Sequence, residues 1–132
     1  QLGAQINPKD SHTTALIEAC KLASNNEKLI EVLLENEADP NLPNKDLATP
    51  MHFAVYGNKR ETLDLLKKAG ANPNIQDKDG NTPLHKASAA QTLNSLSWLH
   101  KAGAHMNIIN KAGLTPLHIA ILERRICSYA LL

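Results

Sequence analysis

Six histidines and two cysteines are the residues of this chain best suited to metal or nucleophilic chemistry. Their spacing argues against both. His52, His85 and His118 are separated by thirty-three residues each (85 − 52 and 118 − 85), so if one structural unit recurs at that period they stack roughly 8 to 10 Å apart, the spacing of packed helices. Zinc holds its ligands at about 2 Å from a single ion, so one site cannot reach from unit to unit. These three histidines are therefore expected to tie each unit to its neighbour through hydrogen bonds. His12, His100 and His105 have no partner at metal-ligand spacing and read as solvated surface. Cys20 and Cys127 fall three units apart, on the order of 25 to 30 Å by the same packing distance, whereas a disulfide needs Cα atoms within about 7 Å. Neither thiol has a histidine or aspartate placed to activate it. Asp77-Lys78-Asp79-Gly80 resembles the start of a calcium loop but lacks the later ligands, notably the bidentate glutamate. With no phosphate-cradling glycine loop either, no catalytic residue, metal, cofactor or small-molecule substrate is expected.

What positions the three histidines is an internal repeat. Asp77-Lys78-Asp79-Gly80-Asn81-Thr82-Pro83-Leu84-His85-Lys86-Ala87 is copied downstream from Asn110 to Ala120 and upstream from Asn44 to Ala54, with Thr-Pro pairs at 49, 82 and 115. An eroded copy, Thr14 to Ala19, starts thirty-five residues before Thr49 (49 − 14). Thr49, Thr82 and Thr115 suit helix N-caps. Pro50, Pro83 and Pro116 suit the first helical position, where no amide hydrogen is needed. A short helix A follows each, and helix B is expected at about 27–36, 60–69 and 93–102 by apolar periodicity. The first helix A, at about 15–24, or the turn after it, should absorb two extra residues.

Gly70 and Gly103 suit the left-handed position that closes helix B, and Gly80 and Gly113 the connecting turns. Glu37 and Leu47 replace glycine at these two places in the first units. A positive φ costs a non-glycine residue roughly 1 kcal/mol, so the first helix B should end less cleanly and the turn at Leu47 should differ from its neighbours. Trp98 aligns with Val32 and Leu65 and is assigned to a buried helix B column. The fourth unit reaches Leu132 inside its helix B, leaving Ile126, Tyr129, Leu131 and Leu132 without a following unit. Gly3-Ala4-Gln5-Ile6-Asn7 parallels Gly70 to Asn74, as though a unit had begun earlier. The chain starts at Gln1 rather than methionine, and is expected to be an excerpt of something longer.

Motif, period and flanking glycines together resemble the ankyrin repeat, which recurs at about 33 residues with the pattern T-P-L-H-x-A. The resemblance covers essentially the whole chain. It implies an all-α, ankyrin-type solenoid, a right-handed stack of helix pairs with short turns or β-hairpin fingers. Its units would be the tail of a repeat at 1–10, a divergent repeat at 11–45, repeats at 46–78 and 79–111, and an incomplete repeat at 112–132. The structural motif is Thr49, Pro50, His52, Gly70, Gly80, Thr82, Pro83, His85, Gly103, Gly113, Thr115, Pro116 and His118. Partners of such arrays generally bind fingertips and the exposed face of helix A, which here means Lys45, Lys78 and Lys111 on the fingers, then Asn81 and Leu114 beside the caps. On helix A the positions hold Glu18 and Lys21, Phe53 and Tyr56, Lys86 and Ala89, then Ile119 and Leu122. Phe53, Tyr56 and Ile119 read as apolar contacts and Lys45, Lys78, Lys86 and Lys111 as steering charges, although lysine is common at the finger position in the family. The resemblance also implies asparagine hydroxylation, with Asn41 in Asp39-Pro40-Asn41 best placed.

Composition narrows the class further. Apolar residues make up 42% of 132 and aromatics only 3%, dominated by Leu and Ala, which favours packed helices over a β-sandwich. A net charge of +1 supplies no general field for nucleic acid, and Glu18, Asp46 and Asp79 interrupt any lysine stripe. No apolar run is long enough to insert directly into a membrane. Two distant cysteines suit a reducing, cytoplasmic or nuclear compartment. The expected function is recognition of a partner protein; the alternative is a targeting or regulatory segment of a larger enzyme, effector or channel whose chemistry lies elsewhere.

Overall fold

The structure, a computed structural model, describes residues 14–22, 26–57 and 59–130, with side chains described through 124. The stretch paralleling Gly70 to Asn74, His12, and the side chains of Ile126, Cys127, Tyr129, Leu131 and Leu132 lie outside the described residues.

Seven helices follow in chain order among the described residues, with no strand: α1 Ala15–Lys21, α2 Glu27–Glu35, α3 Pro50–Ala54, α4 Arg60–Lys68, α5 Pro83–Ala90, α6 Leu93–Lys101 and α7 Pro116–Ala130. Each odd-numbered helix starts at a threonine. The Ile17 amide donates to Thr14 Oγ1 at 3.1 Å, and those of His85 and His118 donate to Thr82 and Thr115 Oγ1 at 3.4 and 3.3 Å. Proline at the first position of α3 and α5 loses no intrahelical bond, because that amide has no partner in any helix. From Thr14 to the Asn26 cap of α2 is twelve residues (26 − 14), against ten from Thr49 to Lys59 and from Thr82 to Thr92. The two additional residues therefore fall between the first pair of helices, where the register placed them.

Packing runs in two rows. α1, α3, α5 and α7 lie side by side, α2, α4 and α6 form the second row, and each helix B also packs on its own helix A. The core between the rows is Leu16, Cys20, Ile30, Met51, Val55, Leu63, Leu66, Leu84 and Leu99, together with alanines 19, 54 and 87. Fully burying such a leucine is worth about 1.5–3 kcal/mol, so the repeat's apolar columns, shared between neighbours, hold the stack.

Four expectations change. Leu47 does take a positive φ, 60°, yet its turn is the same as the glycine turns. Asn44 N donates to Ala48 O at 2.9 Å and Leu47 N to Asn44 O at 3.0 Å, matched by Asp77–Asn81 and Gly80–Asp77, both 2.9 Å, and by Asn110–Leu114 and Gly113–Asn110 at 2.9 and 3.0 Å. Glu37, at φ 67°, likewise ends α2 cleanly. Ala38 N reaches Leu33 O at 3.0 Å, as Ala71 N reaches Leu66 O and Ala104 N reaches Leu99 O, both also at 3.0 Å. Several hydrogen bonds at each turn outweigh a backbone cost of about 1 kcal/mol, so the strain is retained rather than relieved by another geometry.

Third, the fourth unit is not a broken pair. α7 runs uninterrupted to Ala130. Its Glu123-Arg124-Arg125 segment consists of helix formers at the places where α3 gives way to Gly57, φ 75°, and α5 to Gln91, φ 55°. Fourth, the column of Val32, Leu65 and Trp98 is a rim rather than a core. Val32 is 51% exposed and the other two are half-buried. The deepest helix B residues sit one position further on, at Leu66 and Leu99.

Candidate functional site

The fingers are built from one side chain repeated three times. Asn44 Oδ1 accepts from Asp46 N and Ala48 N at 2.9 and 3.1 Å. Asp77 Oδ1 accepts from Asp79 N and Asn81 N, both at 2.9 Å, and Asn110 Oδ1 from Ala112 N and Leu114 N, both at 3.0 Å. An oxygen acceptor on a short side chain can close such a turn, which is why Asn and Asp interchange here. Successive fingers are then joined through the backbone: Lys78 N donates to Asp46 O at 2.8 Å and Lys111 N to Asp79 O at 3.0 Å. At Gly80 a Cβ would lie 2.8 Å from Lys111 N, so at that turn glycine is required by the neighbouring finger as well as by φ.

The histidines hold each finger to the helix before it. His52 Nδ1 accepts from Thr49 N at 3.0 Å, which places the ring proton on Nε2, and Nε2 donates to Asn81 O at 2.9 Å. His85 repeats this with Thr82 N at 3.1 Å and Leu114 O at 3.0 Å. Both ring nitrogens are thus engaged by the fold. Burial pushes both imidazoles below the ordinary histidine range, against the opposing pull of the carbonyl each reaches and of Asp77. A proton on Nδ1 would also confront the threonine amide. His118 keeps its bond from Thr115 N, 3.1 Å, but is itself exposed. Ile17 stands at the corresponding place in α1, fully buried and without a ring to bridge with.

Helix pairs with threonine-proline starts, histidine bridges to the next finger and columns of leucine recurring at one period constitute a single architecture, and the ankyrin-repeat family profile, in three copies, matches residues 1–77 and 51–132. The chain belongs to the ankyrin-repeat family. Ankyrin repeats are generally protein–protein interaction modules and typically non-catalytic. A comparison with curated proteins finds no match. Among the described residues no helix is long and apolar enough to cross a membrane.

Within this ankyrin array the residues proposed from sequence fall into two groups. Lys78 is bound to Asp46 at 3.1 Å, which raises its pKa through the hydrogen bond and the carboxylate charge, and Lys86 lies 3.5 Å from the buried Asp77 carboxylate. Asn81 carries four links at once: its carbonyl takes His52 and the Asp77 amide, its own amide donates to Asp77, and its Oδ1 accepts from Asn110 Nδ2 at 2.9 Å. Phe53 is half-buried against the core, with the Lys21 ammonium 5.0 Å above its ring while Lys21 also pairs with Glu18 at 3.1 Å. These side chains serve the fold. Lys45, Tyr56 and Lys111 are exposed, and Leu114 and Ile119 partly so. Ala89 and Leu122 complete the open helix A face. His100 and His105 are also exposed.

Asn41 is held at both ends of its amide. Its Nδ2 donates to Gly70 O at 3.1 Å and its Oδ1 accepts from Asn72 N at 2.7 Å; Asn74 does the same toward Gly103 O and His105 N at 3.4 and 2.7 Å. Cys20 is fully buried and its thiol is pushed up to about 12 by that burial, opposed only in part by Lys59. Lys59 Nζ itself donates to Cys20 O and Leu22 O, both at 2.7 Å, closing the end of α1.

Sequence reasoning passed over one feature. Between α4 and α6 lies a cleft of about 260 Å³ lined by Lys59, Arg60, Leu63, Asn94, Ser95, Ser97, Trp98 and Lys101. Asn94, Ser97, Trp98 and Lys101 follow one another at i, i+3, i+4 and i+7. That spacing could have marked them as one face of a helix turned away from the core.

Proposed function

We propose that this chain recognises a partner protein through the concave and finger surface of its second to fourth repeats. The observation that carries the reading is a division of labour. The threonine, histidine and leucine columns are consumed in holding repeat to repeat, whereas Lys45, Tyr56, Lys111, Leu114 and Ile119, at the positions where the resemblance puts partner contacts, keep side-chain surface open. Tyr56, 41% exposed beside the half-buried Phe53, offers the aromatic anchor, and Ile119 extends the apolar contact. Lys45, Lys78, Lys86 and Lys111 steer an acidic approach, with Lys78 and Lys86 already partly neutralised. Asn81 presents its remaining amide group beside them. The partner is protein rather than nucleic acid, given a net charge of +1. The setting is intracellular, and the module serves equally as the targeting segment of a larger enzyme, effector or channel.

The test uses the whole array to capture a partner, followed by affinity measurements on Tyr56→Ala and Lys111→Ala. Tyr56→Ala is expected to weaken binding by about 2 kcal/mol with little change in melting temperature, and Lys111→Ala to slow association at low salt. Unchanged affinity and association rate in both would move the partner off this surface.

A further inference from the structure

The cleft between α4 and α6 lies in the helix B row, apart from the fingers and helix A face, and none of the repeat's structural motif residues lines it. Its charge is one-sided. Lys59, Arg60 and Lys101 line it, and α6 contributes no acidic residue along its whole length. Asp64 on its rim accepts from Trp98 Nε1 at 2.6 Å and sits 3.9 Å from Arg60 Nε. Three cations against one rim carboxylate leave an excess of two positive charges.

A second cleft in the same row carries a different balance. Between α2 and α4 a space of about 210 Å³ is lined by Glu31, Glu35 and Lys68 with Leu34, Leu65 and Ala69. Two acids against one base give the opposite sign. The two clefts correspond on one wall, where Leu65 and Lys68 stand for Trp98 and Lys101, whereas the other wall is the start of α4 in the first and the end of α2 in the second, and they differ in charge and in aromatic content. The charge difference is not needed for packing, since Arg60 and Lys101 are exposed and, among the described residues, Arg60 has a single long ion-pair contact, to Asp64.

We propose that the α4–α6 cleft is a second docking site, for an acidic segment of a partner protein in which carboxylates flank one apolar or aromatic residue. Arg60 and Lys101, on opposite walls, take the carboxylates. Lys59 reinforces the field while its own ammonium closes α1. The exposed part of the Trp98 indole, fixed by Asp64, receives the apolar side chain as an interface anchor. Ser97 stands along the same wall for backbone contacts. The sign of the α2–α4 cleft excludes the same segment from the neighbouring repeat.

Trp98 is the only tryptophan of the chain, so its fluorescence reports this cleft directly. The probe is a capped twelve-residue peptide of Glu-Glu-Leu repeats, titrated at low salt into the whole chain. Saturable change of the Trp98 emission is expected, weakening with added salt. Arg60→Glu and Lys101→Glu, exposed positions whose variants should melt as the parent does, are each expected to weaken the peptide about fivefold or more, whereas Lys45→Glu and Lys111→Glu on the fingers leave it unchanged. A Lys-Lys-Leu peptide should not bind. No saturable signal, equal loss from the finger variants, tighter binding of an oligothymidylate of equal charge, or a signal that tracks self-association of the chain would each overturn the proposal. The finger variants fail independently of the cleft variants, so this site and the concave surface are judged separately.

Discussion

His85 and His118 occupy the same place in the same Thr-Pro-Leu-His motif, yet one is a keystone and the other a loose end. His85 is buried and reaches the carbonyl of Leu114 in the next finger, while His118 retains only its own threonine. The leucines before them diverge in the same way, with Leu84 4% exposed and Leu117 64%. So does the position three residues after each histidine: Ser88 is buried and bonded to Leu84 O at 2.8 Å, whereas Ile121 is exposed. The motif is thus half a contact. Its energy is realised only where another repeat supplies the other half, as expected of a quasi-one-dimensional fold held by nearest-neighbour interfaces.

The sharpest way to break this comparison is to truncate the two leucines. Leu84→Ala should lose about 3 kcal/mol by urea denaturation, in the range for a fully packed leucine, and Leu117→Ala less than about 1 kcal/mol. Equal losses would mean that α7 is covered by something beyond the described contacts. The histidines come next. His85→Ala leaves the Thr82 amide without its partner and takes one of two donors from the Leu114 carbonyl, and should cost about 2 kcal/mol, against about 0.5 kcal/mol for His118→Ala.

Acid offers a third separation. With their pKa values lowered on folding, His52 and His85 are neutral in the native state and bind a proton more readily once unfolded. Their contribution is therefore fully present above the ordinary histidine value of 6.5 and is lost as pH falls through the depressed native values. The parent should lose midpoint stability below about pH 6.5, and His52→Gln with His85→Gln should flatten that dependence. The smallest expected effect is a gain: Glu37→Gly and Leu47→Gly, each replacing a strained residue at φ 67° and 60°, should raise stability by at most about 1 kcal/mol. A loss in either variant would show that the side chain makes a contact worth more than the strain.

Much of this fold could be read from sequence because the repeat states each helix start, each bridge and each turn several times over. Thr82-Pro83 and His85 are intelligible alone, and their copies remove the ambiguity. What stayed hidden depends on one copy differing from the rest. The turns at Glu37 and Leu47 gave no sign that hydrogen bonding would hold them to the common geometry. The uninterrupted α7 follows from Glu123 to Arg125, where absence of a stop matters more than presence of a motif. Trp98 misled because alignment transfers position but not depth: about 100° of helix rotation separates the rim at 98 from the core at 99. The candidate surface was legible only as positions. That Lys78 answers to Asp46, Lys86 to Asp77 and Phe53 to Lys21 required coordinates, since those pairs join different repeats or distant parts of one.

The burial of Cys20 turns the first repeats into a clock. Its sulfur is sealed between α1 and its neighbours and is held protonated by a pKa of about 12, so an alkylating reagent at mildly alkaline pH meets neither access nor thiolate. Both obstacles vanish together when the helices part, because an exposed thiol titrates near 8.5. In a Cys127→Ser background the labelling half-life therefore times how often α1 comes away from α3, and slow labelling beside faster amide exchange in α7 would order the ends of the array by how long each stays shut.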